Sequence, residues 1–106
     1  MVEVAAAPDE QERGLMFRPS LAPDRGMIFP LPAPVVATFW MKNTLIPLDM
    51  IFIRADGTIA KVAAQTVPMT LDLVGSDEPV TAVLEIAAGR AAQLGIRAGD
   101  RVDWRR

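Results

Sequence analysis

Residues 35–66 read VVATFWMKNTLIPLDMIFIRADGTIAKVAAQT, and this stretch decides the fold. Val35 to Met41 and Leu48 to Arg54 are dense in β-branched and aromatic residues, the composition of strands. Asp56-Gly57 is a tight-hairpin signal, read as a type I′ turn, leading into a third strand from Thr58 to Thr66. A symmetric hairpin centred between Leu45 and Ile46 sets Lys42 opposite Asp49. Opposed charges on paired strands stabilise by about 0.2–1 kcal/mol.

Working outward, Met1 to Ala5 alternates as a strand, with Val2 and Val4 on one face. Pro8 suits the first turn of a helix, and Asp9, Glu10 and Glu12 sit near the positive end of its dipole. Gly14 ends it. A turn at Ala22 to Arg25, with Gly26 at positive φ, leads into a short strand from Met27 to Leu31. Pro30, Pro32 and Pro34 donate no ladder bonds, so this stretch belongs at a sheet edge or in a loop. Pro68 to Pro79 reads as a loop of about a dozen residues. Thr81 to Ile86 is a strand and Gly89 to Leu94 a helix. Gly95 stops that helix, with Ile96 packing back. Arg101 to Arg105 is the last strand, with Val102 and Trp104 on one face. The reading is one α+β or mostly β domain over residues 1–106: a compact antiparallel barrel of about seven strands with two short helices.

Composition narrows the function classes. The 106 residues suit one core. Histidine, cysteine and tyrosine are absent. That removes Ser-His and Cys-His nucleophile pairs, thiol redox chemistry, disulfides and Cys/His zinc sites, so no metal or cofactor is expected. Eleven basic against thirteen acidic residues give a net charge of −2, which disfavours a nucleic-acid partner. No apolar run approaches the roughly 18 residues of a membrane span.

Two constellations carry chemistry. In the first, Trp40 is a stacking wall, Lys42 and Asn43 bind an anion or a carbonyl, Thr44 adds a hydroxyl and Asp49 orients Lys42. The bland reading is that Asn43 and Thr44 bond turn backbone and that Lys42–Asp49 is an ion pair. The second is Glu85, alone in the apolar run VTAVLEI and on one face with Thr81 and Val83. The simpler reading is a solvent-facing glutamate. The functional one is a carboxylate at a barrel mouth, paired with Arg18, Arg13 or Lys42, because burial without a partner costs several kcal/mol or forces protonation. Met16, Met27, Met41 and Met50 read as core filler.

The stretches ERGLMFRPSLAPDRGMIF (12–29), FWMKNTLIPLDMIFIRADGTIAKV (39–62) and AVLEIAAGRAAQLGIRAGDRV (82–102) occur in this order. Together they closely resemble the domain-of-unknown-function family 192, uncharacterised protein family 0127, across about Val2 to Val102. The resemblance implies a bacterial or archaeal, periplasmic or exported protein, with the cytoplasm as the alternative. It implies no settled activity. The expected function is a non-catalytic binding module of the cell envelope that recognises a small polar ligand or an extended peptide. The alternative is an enzyme using Asp49 with Glu85 or Asp100 on a carbohydrate or similar substrate. That requires two carboxyl groups about 5–10 Å apart in one cleft.

Overall fold

The computed structural model describes residues 2–104. The elements are β1 (Val2–Val4), α1 (Pro8–Arg13), β2 (Gly26–Phe39), β3 (Leu48–Ile53), β4 (Ile59–Ala63), β5 (Val74–Ala87) and α2 (Arg90–Leu94). The strands form one sheet in the order β1-β2-β5-β3-β4. Strand β1 runs parallel to β2, and the remaining pairs are antiparallel. A mostly β domain with two short helices is what the chain forms. The seven-strand barrel is corrected: among the described residues there are five strands, and the sheet stays open with β1 and β4 at its edges.

Two changes account for the count. The expected strands 27–31 and 35–41 are one long strand, β2, whose register to β5 shifts between Pro30 and Val35 and again between Val36 and Thr38. Strand β1 covers only Gly26 to Ile28, so the prolines fall where no described strand continues the ladder along that edge of β2. The expected last strand shrinks to a single bridge, Thr58 to Arg101. Its residue Arg105, like Met1 in the first strand, lies outside the described residues.

The expected loop 68–79 is strand from Val74 onward. Gly75, Ser76, Asp77 and Pro79 have turn chemistry, and here a bulge absorbs them. Asp77 sits at φ +66°. The Ser76 hydroxyl accepts the Ala37 N–H at 2.9 Å and donates to the Glu78 carbonyl at 2.7 Å. These bonds replace what the broken ladder loses.

Period two then sorts the side chains. Leu48, Met50 and Phe52 of β3 join Met27, Phe29, Val80 and Val83 on one face of the sheet. Ile51 and Ile53 join Ile28, Ile59 and Ala82 on the other, under Ile96, Val102 and Trp104. Both faces of β3 are therefore covered, and all six of its residues are buried. Phe39 meets Phe29 and Phe52 edge-on, at 5.3 and 6.3 Å between ring centres. Such pairs add about 0.5–1.5 kcal/mol beyond area burial.

Two glycines act differently from expectation. Gly26 has no positive φ. It opens β2 as extended backbone, and a Cβ there would stand 2.8 Å from the Glu85 carbonyl. The turn after β3 is not type I′. Its bond runs from the Gly57 N–H to the Arg54 carbonyl, Ala55 and Asp56 lie between without positive φ, and Gly57 alone is at φ +88°. Asp56 accepts the Thr58 N–H and hydroxyl, so it needs no left-handed backbone. Gly57→Val places a β-branched residue at that φ and a Cβ 3.2 Å from the Val102 carbonyl. It should lower stability by more than about 1 kcal/mol, read as a lower urea midpoint with an unchanged slope. An unaltered midpoint would show that the turn tolerates a side chain.

Candidate functional site

Asp49 and Glu85 lie on neighbouring strands and meet opposite fates. Asp49 pairs with Ile86 and Met50 with Glu85 in the β3–β5 ladder. Asp49 therefore shares the Ile51 face, and Glu85 shares the Met50 face. Asp49 is fully buried. One carboxylate oxygen accepts the Gln65 N–H at 2.8 Å and the other accepts the Ala91 N–H at 2.9 Å. It fastens β3 to the segment after β4 and to the first turn of α2. The expected Lys42–Asp49 pair does not form. The hairpin was assumed symmetric, but residues 40–47 are an irregular loop outside both strands. Lys42 instead holds its ammonium 5.1 Å from the Trp40 ring centre.

Glu85 is 4% exposed, against the simpler expectation of a solvent-facing side chain. None of the expected partners, Arg18, Arg13 or Lys42, bonds it. Arg18 is held by Glu3. Among the described residues no hydrogen bond or ion pair reaches the Glu85 carboxyl. Burial alone pushes its pKa up to about 7. Among the described residues no fully enclosed side-chain polar atom lacks a partner, so the unpartnered Glu85 carboxyl oxygens border open space.

That space is a cavity of about 370 Å³ between the sheet and α1. Phe29, Leu31, Leu48 and Glu85 of the strands line it together with Leu15, Met41 and Trp40. Helix α1 forms the other wall through Gln11, Glu12 and Arg13. The helix forms locally because Pro8 starts it, the Glu10 carboxylate accepts the Ala7 N–H at 3.0 Å, and Gly14 ends it. None of its residues is buried, so it is held from outside. The Gln11 amide donates to the Ala5 and Pro30 carbonyls at 2.9 and 2.6 Å. Arg13 stands exposed at the rim and is in no ion pair among the described residues.

Of the sequence candidates, the structure brings Trp40, Thr44 and Glu85 to this cavity. Trp40 is 45% exposed at its mouth. Lys42 and Asn43 lie beside it, in a shallower groove with Trp40, Met16 and Phe17. Asn43, at φ +55°, accepts the Phe17 N–H on its carbonyl, and the Thr44 hydroxyl donates to the Lys42 carbonyl at 3.2 Å. Thr44 bonds turn backbone, as the bland reading had it, whereas Asn43 shapes the loop through its own backbone carbonyl and left-handed φ. Asp49 is on the far face. So is Asp100, which lines a separate hollow with Ile51, Ile59 and Ile96. The apolar wall and Gln11 were missed. Phe29, Met41 and Leu48 carry no signal that separates a cavity wall from a filled core. The only flag was Glu85 itself, a carboxylate inside an apolar run.

The family model DUF192, described as Uncharacterized ACR, matches residues 1–104, and the chain belongs to this family. No curated protein matches it. A crystal structure of a "putative transcription regulator" from Sinorhizobium meliloti 1021 is similar to it, at 45% identity and a TM-score of 0.93, over 96% of this chain and 79% of that one. A protein of unknown function from Novosphingobium aromaticivorans DSM 12444 is similar at 48% identity and a TM-score of 0.94, over 97% and 74%.

Two outcomes follow. Asp49→Ala leaves the buried Ala91 N–H and the partly buried Gln65 N–H without an acceptor, and should lower stability by about 1–4 kcal/mol. Urea unfolding measures it, and a change below about 1 kcal/mol would show that water replaces the carboxylate. Glu85 acts in the opposite sense. The folded state keeps its proton up to about 7, the unfolded chain only to about 4.5. Its stabilising contribution is complete below 4.5 and is lost as pH rises through 7. The gap corresponds to roughly 3 kcal/mol. Glu85→Gln should flatten the fall in stability between pH 4.5 and 8, and an identical pH profile would show that Glu85 ionises freely.

Proposed function

We propose that this domain is a non-catalytic binding module whose ligand is a small molecule held in the cavity between α1 and the sheet. The observation that carries the reading is an unpartnered, buried carboxyl group facing a largely apolar space. Folding does not require it, since methionine at that position would match its neighbours Met27 and Met50 in the ladder without the desolvation penalty. The volume lies in the ordinary range for ligand pockets, roughly 300–1,000 Å³, and the mix of apolar wall and one convergent polar group is their usual chemistry. The depth at which Glu85 sits, with 4% of its surface exposed, favours a small molecule over an extended peptide. The apolar wall favours a ligand with an apolar body and a hydrogen-bonding end at Glu85, rather than a wholly polar one.

The enzyme reading loses its carboxylate pair. Asp49 and Asp100 are on the opposite face of the sheet from Glu85, and Glu12, the other carboxylate at this cavity, stands exposed on the rim. The regulator description belongs to the Sinorhizobium relative. Among the described residues the longest helix here has six residues, short for a recognition helix in a major groove.

The test uses the two tryptophans. Trp104→Phe leaves Trp40, at the cavity mouth, as the fluorophore. Small apolar fragments with one polar end should shift its emission saturably. Ala37→Leu, which adds bulk inside the cavity, should abolish the shift while the far-UV circular dichroism stays unchanged. No saturable response across such a panel would sink the reading.

A further inference from the structure

We infer that the polar end of the ligand is a primary ammonium, which enters the cavity as a cation and forms an ion pair with the Glu85 carboxylate. This rests on the binding-module reading above. Of the polar side chains inside the cavity, the Gln11 amide is spent on the Ala5 and Pro30 carbonyls and the Thr44 hydroxyl on the Lys42 carbonyl, whereas Arg13, Thr38 and Trp40 stand exposed at its rim. Once Glu85 ionises, it presents an acceptor with no protein donor to meet it. An ammonium supplies up to three N–H donors and the opposite charge, so it removes both parts of the burial penalty. A neutral alcohol offers one donor and no charge. A carboxylate ligand would place two anions together.

The charges around Glu85 permit this. From β1, Glu3 is committed to Arg18. From β4, Lys61 is committed to Asp77 and the Gly75 carbonyl. Strands β2 and β3 face it with Met27 and Met50 in the ladder. From α1, Glu12 and Arg13 both stand exposed at the rim, one of each sign, and Lys42 lies outside, over Trp40. Among the described groups, none supplies an ion-pair partner inside the cavity.

The experiment compares n-hexylamine, n-hexanol and hexanoate on the full chain carrying Trp104→Phe, read by Trp40 fluorescence and by calorimetry from pH 5 to 8.5. An alkylammonium stays charged throughout this range. Expected is at least tenfold tighter binding of the amine than of the alcohol at pH 8. That preference should fall about tenfold per pH unit below 7, where Glu85 must first lose its proton. Hexanoate should bind weakest at pH 8. Glu85→Gln should erase the preference and its pH slope while hexanol binding persists. Glu85→Met serves the same purpose if the glutamine variant does not fold. Equal affinity for amine and alcohol, or a preference that survives in both variants, overturns the ammonium and leaves the pocket standing. No binding of any of the three overturns the pocket as well.

Discussion

Strand β5 hydrogen-bonds to β2 along one edge and to β3 along the other, and each face of its Ala82–Ile86 segment carries a packed layer. A strand in that position has no solvent side. A residue on it is either apolar or must find a partner among its neighbours. The constraint reaches β3 through the ladder, because Leu48 to Ile53 pairs residue for residue with Ala87 to Ala82. It extends to α2 and the tail, which cover the second face. A one-residue slip would exchange every side chain between the two layers, so the register is set by burial rather than by any single bond.

Asp49 and Glu85 are the two carboxyl groups placed under this constraint. Asp49 meets two backbone N–H groups, one of them at the start of α2, and its burial becomes a fastening between the sheet and the helix. That bond also helps to seat a five-residue helix, too short to form by propensity alone. Glu85 meets no donor, and the fold bears the cost. Equal burial therefore has two meanings, and the difference lies in the partners. One carboxylate is structural, and the other is the group on which the proposed binding role rests.

Much of this was legible in the residues. The apolar run from Leu48, the place though not the type of the Asp56-Gly57 turn, the bounds of α1 and the Gly95 ending of α2 all come from local chemistry, and local chemistry decided them. What failed to read was non-local. Turn-rich residues 75–79 form strand because β2 lies alongside to pair with them. The prolines of 30–34 interrupt a ladder without ending a strand, because no described strand pairs with that edge of β2 there. At the site, Glu85 was visible as an anomaly, but its burial depends on layers contributed by residues far off in sequence. Asp49 was assigned to Lys42 by assuming a symmetric hairpin. The loop at 40–47 instead follows its own bonds, from Phe17 to Asn43 and from Met69 to Thr44.

The two walls of the cavity differ in how firmly they are held. The floor is sheet, with Phe29 and Leu48 nearly fully buried and Glu85 fixed in the ladder. The roof is α1, six residues with none buried, anchored by one side-chain amide to two carbonyls and by Leu15 just beyond its end. Local opening follows the regions with least buried apolar contact. The roof can thus move without touching the register of β2, β5 and β3, whereas any shift of the floor would disturb both layers at once. Under the proposed binding role, specificity belongs to the floor, where Glu85 is fixed in the ladder, and entry to the roof and the exposed Trp40 beside it.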